Sequence, residues 1–185
     1  MAASPAGCKA AIAGPMEARV QFSIGHTAIR ITHPDAPGLL ADVSARLADG
    51  RGFALATINL DHLVKLRRDP AFLAAYAAQD FVVADGNPIV WLSRLARRPV
   101  RLVPGARMVL PLVRAAAAAG RPLSLLGSTG DALEAAMLRF QTLVPGLQRG
   151  LLIAPPMGFD PAGEAAQAIL ARPGSRGPGP FPVAP

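Results

Sequence analysis

Short apolar runs alternating with helical spacing constrain this chain more than any other feature. Phe53-Ala-Leu-Ala56, Phe81-Val-Val83, Leu123-Ser-Leu-Leu126 and Leu151 to Ala154 are too short to be helices, and each leads into turn residues. Between them lie stretches of helical period. Pro37 to Ala48 sets Leu40, Val43 and Leu47 on one face, and Arg107 to Ala119 is closed by Gly120. After Asp131, the residues Leu133, Met137, Phe140 and Val144 form one buried stripe. Strand followed by helix at this spacing predicts an α/β chain of parallel βαβ units, with helices on both faces of the sheet.

The remaining elements fit that frame. His26 to Thr32 alternates well enough for a first strand, and a helical stretch broken near Pro70 runs to Ala78. Asn87 is placed to cap a helix reaching Arg97, with Pro88 at its first position, where a missing donor costs nothing. Pro99 to Val103 is a short strand or connector. Asp131 can cap the next helix with Glu134 as reciprocal partner, and a last helix runs to Ala171. Residues 1–20 are Ala/Gly/Pro-rich and aperiodic and read as disordered, 21–172 as one α/β domain, and 173–185 as a Pro/Gly-rich tail unable to join a sheet.

Two strand ends carry polar residues. Thr57-Ile-Asn59-Leu-Asp61-His62 and Ala84-Asp85-Gly86-Asn87-Pro88 lie 28 residues apart, each where a strand hands over to a helix. Ligands of open α/β sheets bind just beyond the carboxyl ends of strands. Asp85, one turn before a helix N-terminus, is a carboxylate that can accept a proton from a substrate hydroxyl. Thr57 and Asn59 offer a hydroxyl and an amide for a sugar or a phosphate. From spacing alone, Asp85 reads rather as a turn or capping residue, Thr57 and Asn59 as local turn formers, and His62, which could act as a base, more often as a helix residue without a catalytic role. Gly127-Ser128-Thr129-Gly130 before a helix could cradle a phosphate, but it lacks the Lys-Ser/Thr end of a Walker sequence and does not spell G-x-G-x-x-G.

Charge narrows the partners. The net charge is +7, and the stretch from Asn87 to Gly130 holds Arg94, Arg97, Arg98, Arg101, Arg107, Arg114 and Arg121 with no acidic residue. Such a segment attracts phosphates or anionic lipid headgroups, unless it is simply a solvated face. One Trp and one Tyr offer few stacking platforms, so nucleic acid is not expected, and a basic α/β module binding it is the weakest reading. The lone Cys8 excludes an intrachain disulfide framework or a cysteine zinc site and fits a reducing cytoplasm. No apolar run is long enough to span a membrane, and the N-terminal residues do not form a secretory signal. Neither G-x-S-x-G nor Asp-x-Asp occurs, and no cluster has metal-ligand spacing.

In this order, the pieces resemble the WecG/TagA/CpsF family of bacterial glycosyltransferases. The matching text runs from His26 to Pro161: Thr57-x-Asn59, Ala84-Asp85-Gly86, Val103-Pro104-Gly105, Leu125-Leu126-Gly127, Val144-Pro145-Gly146-Leu147 and Pro155-Pro156-x-Gly158-Phe159. The resemblance implies a single-domain, Rossmann-like fold. It implies inverting, metal-independent transfer of N-acetylmannosamine or a related hexose from a UDP-sugar, with no cofactor. It further implies a polyprenyl-diphosphate-linked sugar as acceptor at the cytoplasmic face of the plasma membrane, with products that feed teichoic acid, common antigen, capsule or exopolysaccharide synthesis. Asp85 matches the catalytic base and Thr57 its polar partner, with Asn59, Gly86, Asn87, Gly105 and Arg107 at the substrate and Gly127, Ser128 and Thr129 at the nucleotide. Family members associate with themselves, so a homo-oligomer is among the expected partners.

Two departures stand out. Gly105-Ala106-Arg107 replaces the family's Gly-x-Asp, turning a carboxylate into a guanidinium. Past Arg172, where the family continues with a strand, a Gly-x-Pro-Lys/Arg-Gln-Glu-like motif and a helical portion linked to membrane association, the text becomes Pro173-Gly-Ser-Arg-Gly-Pro-Gly-Pro. The expectation drawn from this is a truncated or frameshifted C-terminus, and the alternative function is an inactive remnant that binds nucleotide-sugar or a membrane partner.

Overall fold

Three two-stranded ladders carry the fold in the computed structural model, which describes residues 20–161 and 163–171. Cys8, the N-terminal segment up to residue 19 and the tail from 172 onward lie outside the described residues. The chain is a mixed α/β single domain, consistent with the Rossmann-like fold that the resemblance implies; two ladders are parallel as the alternating pattern predicts, and the third is antiparallel.

Strands β1 (Gln21–Ile24) and β2 (Thr27–Arg30) form an antiparallel hairpin closed at Gly25, whose φ of +58° suits glycine. The strand expected from His26 is therefore only the second arm. Its partner was hidden because two four-residue arms give too few alternations to detect. Strands β3 (Leu55–Ile58) and β4 (Phe81–Ala84) pair in parallel, Leu55 opposite Phe81 and Ile58 opposite Ala84. Thr57 thus lies inside the strand, one residue further along than its expected end at Ala56. Strands β5 (Leu123–Leu126) and β6 (Arg149–Ile153) also pair in parallel, with a register shift between Leu123 and Leu125. A side chain at Gly150 would collide there with Ser124 Oγ and the Leu123 carbonyl.

Strand β4 is the centre. On one side, Asp85 N–H, just past its end, donates to Ile58 O at 2.9 Å. On the other, Val82 O accepts from Thr32 N–H and Ala84 O from Val103 N–H, both at 2.8 Å. The Pro99–Val103 stretch is a connector running beside β4, not a strand. All four residues of β4 are buried, as in a sheet covered on both faces. Phe81 and Val83 pack with Leu39, Val43, Val103 and Met108 on one face. Val82 and Ala84 pack with Ile29, Ile58, Leu66, Tyr76 and Ile89 on the other. A third cluster, Val113, Met137, Val144 and Leu147, lies under β5 and β6 and contains most of the predicted stripe.

Helix α1 (Ala36–Ala48) is capped by Asp35, which accepts from Gly38 N–H at 3.1 Å. Helices α2 (Leu60–Leu66) and α3 (Pro70–Ala77) are split as Pro70 predicts, with Asp69 capping the second through Phe72 N–H at 2.9 Å. Helix α4 (Asn87–Leu95) has Gly86, not Asn87, at its cap. The turn out of β4 demands a φ of +101° there, which only glycine takes without strain, so Asn87 becomes the first helical residue. Helix α5 (Gly105–Ala118) starts two residues before the expected Arg107 and carries Pro111 inside it. In α6 (Gly130–Leu143), the cap is Thr129, which accepts from Ala132 N–H at 3.4 Å, and Asp131 falls in the first turn. Glu134 turns away from that cap and pairs with Arg149 Nη1 of β6 at 2.7 Å. Helix α7 (Glu164–Leu170) closes the described chain.

Candidate active site

Three segments meet at the carboxyl ends of β3 and β4. Asp85 leaves β4 and accepts through Oδ2 from Gly105 N–H at 3.2 Å, the opening residue of α5. The positive end that engages this carboxylate belongs to α5, twenty residues on in sequence, rather than to α4. This bond also explains the early start of α5. Pro104 has no side-chain donor or acceptor to cap a helix, so a carboxylate from another loop satisfies one of its free N–H groups.

Gly105 is packed as well as bonded. A Cβ at this position would stand 3.2 Å from Thr57 Cγ2 and 3.5 Å from both Thr57 Oγ1 and Asp85 Oδ2. Thr57, Asp85 and Gly105 therefore form one contact group. Asn59 joins it from the side: a Cβ on Gly86 would lie 3.9 Å from Asn59 Cβ. Asn59 also caps α2, its Oδ1 accepting from His62 N–H at 2.9 Å. Of the expected site residues, Thr57, Asn59, Asp85, Gly86 and Gly105 are brought together. Asn87 and Arg107 are exposed in the first turns of α4 and α5. Gly127, Ser128 and Thr129 end β5 on another ladder, and no hydrogen bond among the described residues joins them to the Asp85 group. Gly127 N–H is already given to Ile153 O at 3.0 Å. Ser128 holds a φ of +58°.

Beneath the group lies a support that sequence reasoning missed. Backbone groups of a strand alternate sides. Ile58 O faces β4, so Thr57 O faces away from it. Tyr76 Oη, from α3, sits 2.6 Å from that carbonyl and 2.6 Å from His62 Nδ1, and His62 Nδ1 lies 3.1 Å from Thr57 O. The arrangement that satisfies all three groups has Tyr76 donating to Thr57 O and His62 Nδ1–H donating into the pair. Phe72 completes the cluster, 5.0 Å from the Tyr76 ring and 5.8 Å from that of His62. Burial first, then the negative charge of Asp85, push the Tyr76 hydroxyl up to about 12, so it keeps its proton for this bond. One signal was available: a lone tyrosine on an apolar helix needs a partner for its hydroxyl once buried.

The arginine segment divides by role. Arg121 Nε and Nη2 donate to Leu47 O at 3.3 and 3.2 Å and tie the end of α5 to the end of α1. Arg94, Arg97, Arg101, Arg107 and Arg114 are exposed. Among the described residues, no three His, Cys, Asp or Glu side chains gather into a group able to hold a metal ion. Nor is any described helix long and apolar enough to cross a membrane.

The family model described as the glycosyl transferase WecG/TagA/CpsF family matches residues 25–174. No curated protein matches the chain. The match spans most of the sequence and contains every residue of the Asp85 group, so the chain belongs to this family of glycosyltransferases of cell-surface polysaccharide synthesis.

Proposed function

We propose, with that membership as the premise, that the chain transfers N-acetylmannosamine or a related hexose from a UDP-sugar to a polyprenyl-diphosphate-linked acceptor. The transfer inverts the anomeric carbon, needs no metal ion or cofactor, and takes place at the inner face of the plasma membrane. Its product enters teichoic acid, capsule or exopolysaccharide synthesis.

The observation that carries this reading is the Asp85 carboxylate, fixed on one oxygen by Gly105 N–H at the strand ends, with Thr57 packed against the same glycine. One free oxygen suffices for a base. Asp85 takes the proton of the acceptor hydroxyl as the acceptor's own oxygen bonds to the anomeric carbon, while the bond from that carbon to the UDP oxygen breaks and UDP leaves. Thr57 and Asn59 orient the sugar, with Gly86 and Asn87 shaping the loop around it. Gly105 and Arg107 face the diphosphate, and Gly127, Ser128 and Thr129 line the nucleotide side. Arg107 offers a guanidinium to the phosphates in place of the family's carboxylate.

Asp85→Asn tests the chemistry. The amide oxygen still accepts from Gly105 N–H, so the fold and UDP binding persist, while transfer from UDP-N-acetylmannosamine to a short-chain polyprenyl-diphosphate sugar falls about 10²–10⁴-fold. Near-parental turnover in that variant refutes the assignment. UDP binding by calorimetry with no transfer in the unaltered chain would favour the competing reading, a non-catalytic nucleotide-sugar binder, for which Arg107 is the specific argument.

A further inference from the structure

We propose that the solvent face of α4 is the surface by which this protein docks on an anionic bilayer. The proposal deepens the reading above and rests on it for the membrane as partner. Helix α4 turns Ile89, Val90 and Ser93 inward. Trp91, Leu92 and Leu95, spaced i, i+1 and i+4, form the opposite side and are 62, 41 and 82 % exposed. A helix packed on a sheet ordinarily puts charged and polar residues there. Leu102, 40 % exposed, follows in the connector.

Charge selects the occupant. Arg94 lies on the helix between Trp91 and Leu95, and Arg97 and Arg101 follow its end. None of these three is ion-paired among the described residues. The sequence supplies no acidic residue from Asn87 to Gly130 to neutralise them. A second copy of the chain would meet this face with the same uncompensated positive charge. An anionic headgroup layer supplies the missing negative charge, and its acyl boundary takes the Trp and Leu side chains. The placement also serves the site. Asp85 and Gly86 directly precede α4, whose nine residues span about 13 Å, so docking by this face holds the base within about one short helix of the headgroups. A sugar on a membrane-embedded diphosphate lies at that depth.

Trp91 is the only tryptophan in the chain, so its emission reports on this face alone. The full chain is titrated with phosphatidylglycerol–phosphatidylcholine vesicles and with phosphatidylcholine vesicles, followed by Trp91 emission and by flotation. Anionic vesicles should bind, shift the emission to the blue and, when brominated, quench it, and added salt should weaken the binding. Leu95→Gln should weaken binding about tenfold and Arg94→Gln about fivefold. Both side chains are exposed, so circular dichroism should be unchanged. Absence of vesicle binding overturns the proposal. So does flotation with unshifted Trp91 emission, or a blue shift that grows with protein concentration without lipid, which would mean a second copy covers the face. Asp85→Asn should bind vesicles like the parent, because the carboxylate is not on this face. Its transfer activity reports on the chemistry alone, so failure of one reading is told apart from failure of the other.

Discussion

Gly105→Ala separates the site from the fold. The new methyl enters between Thr57 and Asp85, at 3.2 Å from Thr57 Cγ2 and 3.5 Å from Asp85 Oδ2. The first distance is a few tenths of an ångström too short, so one neighbour must move. The backbone N–H that Asp85 accepts is retained, and the position is the first residue of a helix. Replacing glycine by alanine stabilises by about 0.4–1 kcal/mol through the unfolded chain wherever the backbone tolerates it. Forcing an extra methylene into a packed place costs about 1–3 kcal/mol, and this is the low end of that range because a single contact is short. The two nearly cancel, and the net change in stability should lie within about 1 kcal/mol. Catalysis has no such compensation. A misplacement of about 1 Å can cost about 10²-fold in rate, so a few tenths should lower kcat about three- to tenfold. The assay pairs thermal unfolding with UDP release under saturating donor and acceptor. Parental kcat with an unchanged Tm would show that the Thr57–Gly105–Asp85 packing plays no part in the reaction. A stability loss of several kcal/mol would refute the cancellation argument instead.

The other predictions concern the support and the core. Tyr76→Phe removes the 2.6 Å donor to Thr57 O but leaves His62 Nδ1 near it, so urea unfolding should report a loss of about 1 kcal/mol, with kcat down a few-fold. Tyr76 is raised from 10.0 to about 12 in the folded chain, so the unfolded chain ionises first. The contribution is fully present below pH 10 and is lost as pH climbs from 10 to 12, about 1–2 kcal/mol after allowance for solvent screening. The difference between the parent and Tyr76→Phe isolates it, and a parallel pH dependence of the two would contradict it. Ser93 is fully buried, donating to Val90 O at 2.7 Å and accepting from Val100 N–H at 3.1 Å. Ser93→Ala orphans a buried N–H and should cost about 1–3 kcal/mol in chemical denaturation, with a midpoint unchanged from the parent counting against it.

What was legible in the sequence was whatever the residues decide locally. Short runs such as Phe81-Val-Val83 and the stripe of Met137, Phe140 and Val144 located the sheet and the helix over it, because burial on one face leaves a period in the sequence. Pro70 marked its helix boundary because its ring fixes φ and it has no N–H to give the preceding turn. What escaped was set by contacts far apart in the chain. The start of α5 depends on a carboxylate twenty residues earlier, and no property of Pro104-Gly105-Ala106 announces that. In the sequence Glu134 reads as part of a local cap, because its partner Arg149 is on a strand fifteen residues away. Asn87 lost the cap to Gly86 because the turn required a positive φ. In the candidate site, Thr57, Asn59 and Asp85 stood out as polar residues at strand ends, where the core no longer explains them. Tyr76 stayed hidden because its hydroxyl answers a carbonyl nineteen residues away.

The Thr57 carbonyl has a consequence of a different kind. It points outward from β3, the last strand of its ladder, and an outward row of backbone acceptors is a template on which a strand from another chain can add. Tyr76 and His62 occupy that acceptor in the middle of the strand, so intermolecular strand addition along β3 would first have to displace two packed rings. The pair thus covers a backbone acceptor of this edge as well as holding the carbonyl of Thr57. A chain lacking both side chains should precipitate on refolding at concentrations where the parent stays clear, so its turnover has to be measured on the soluble fraction alone.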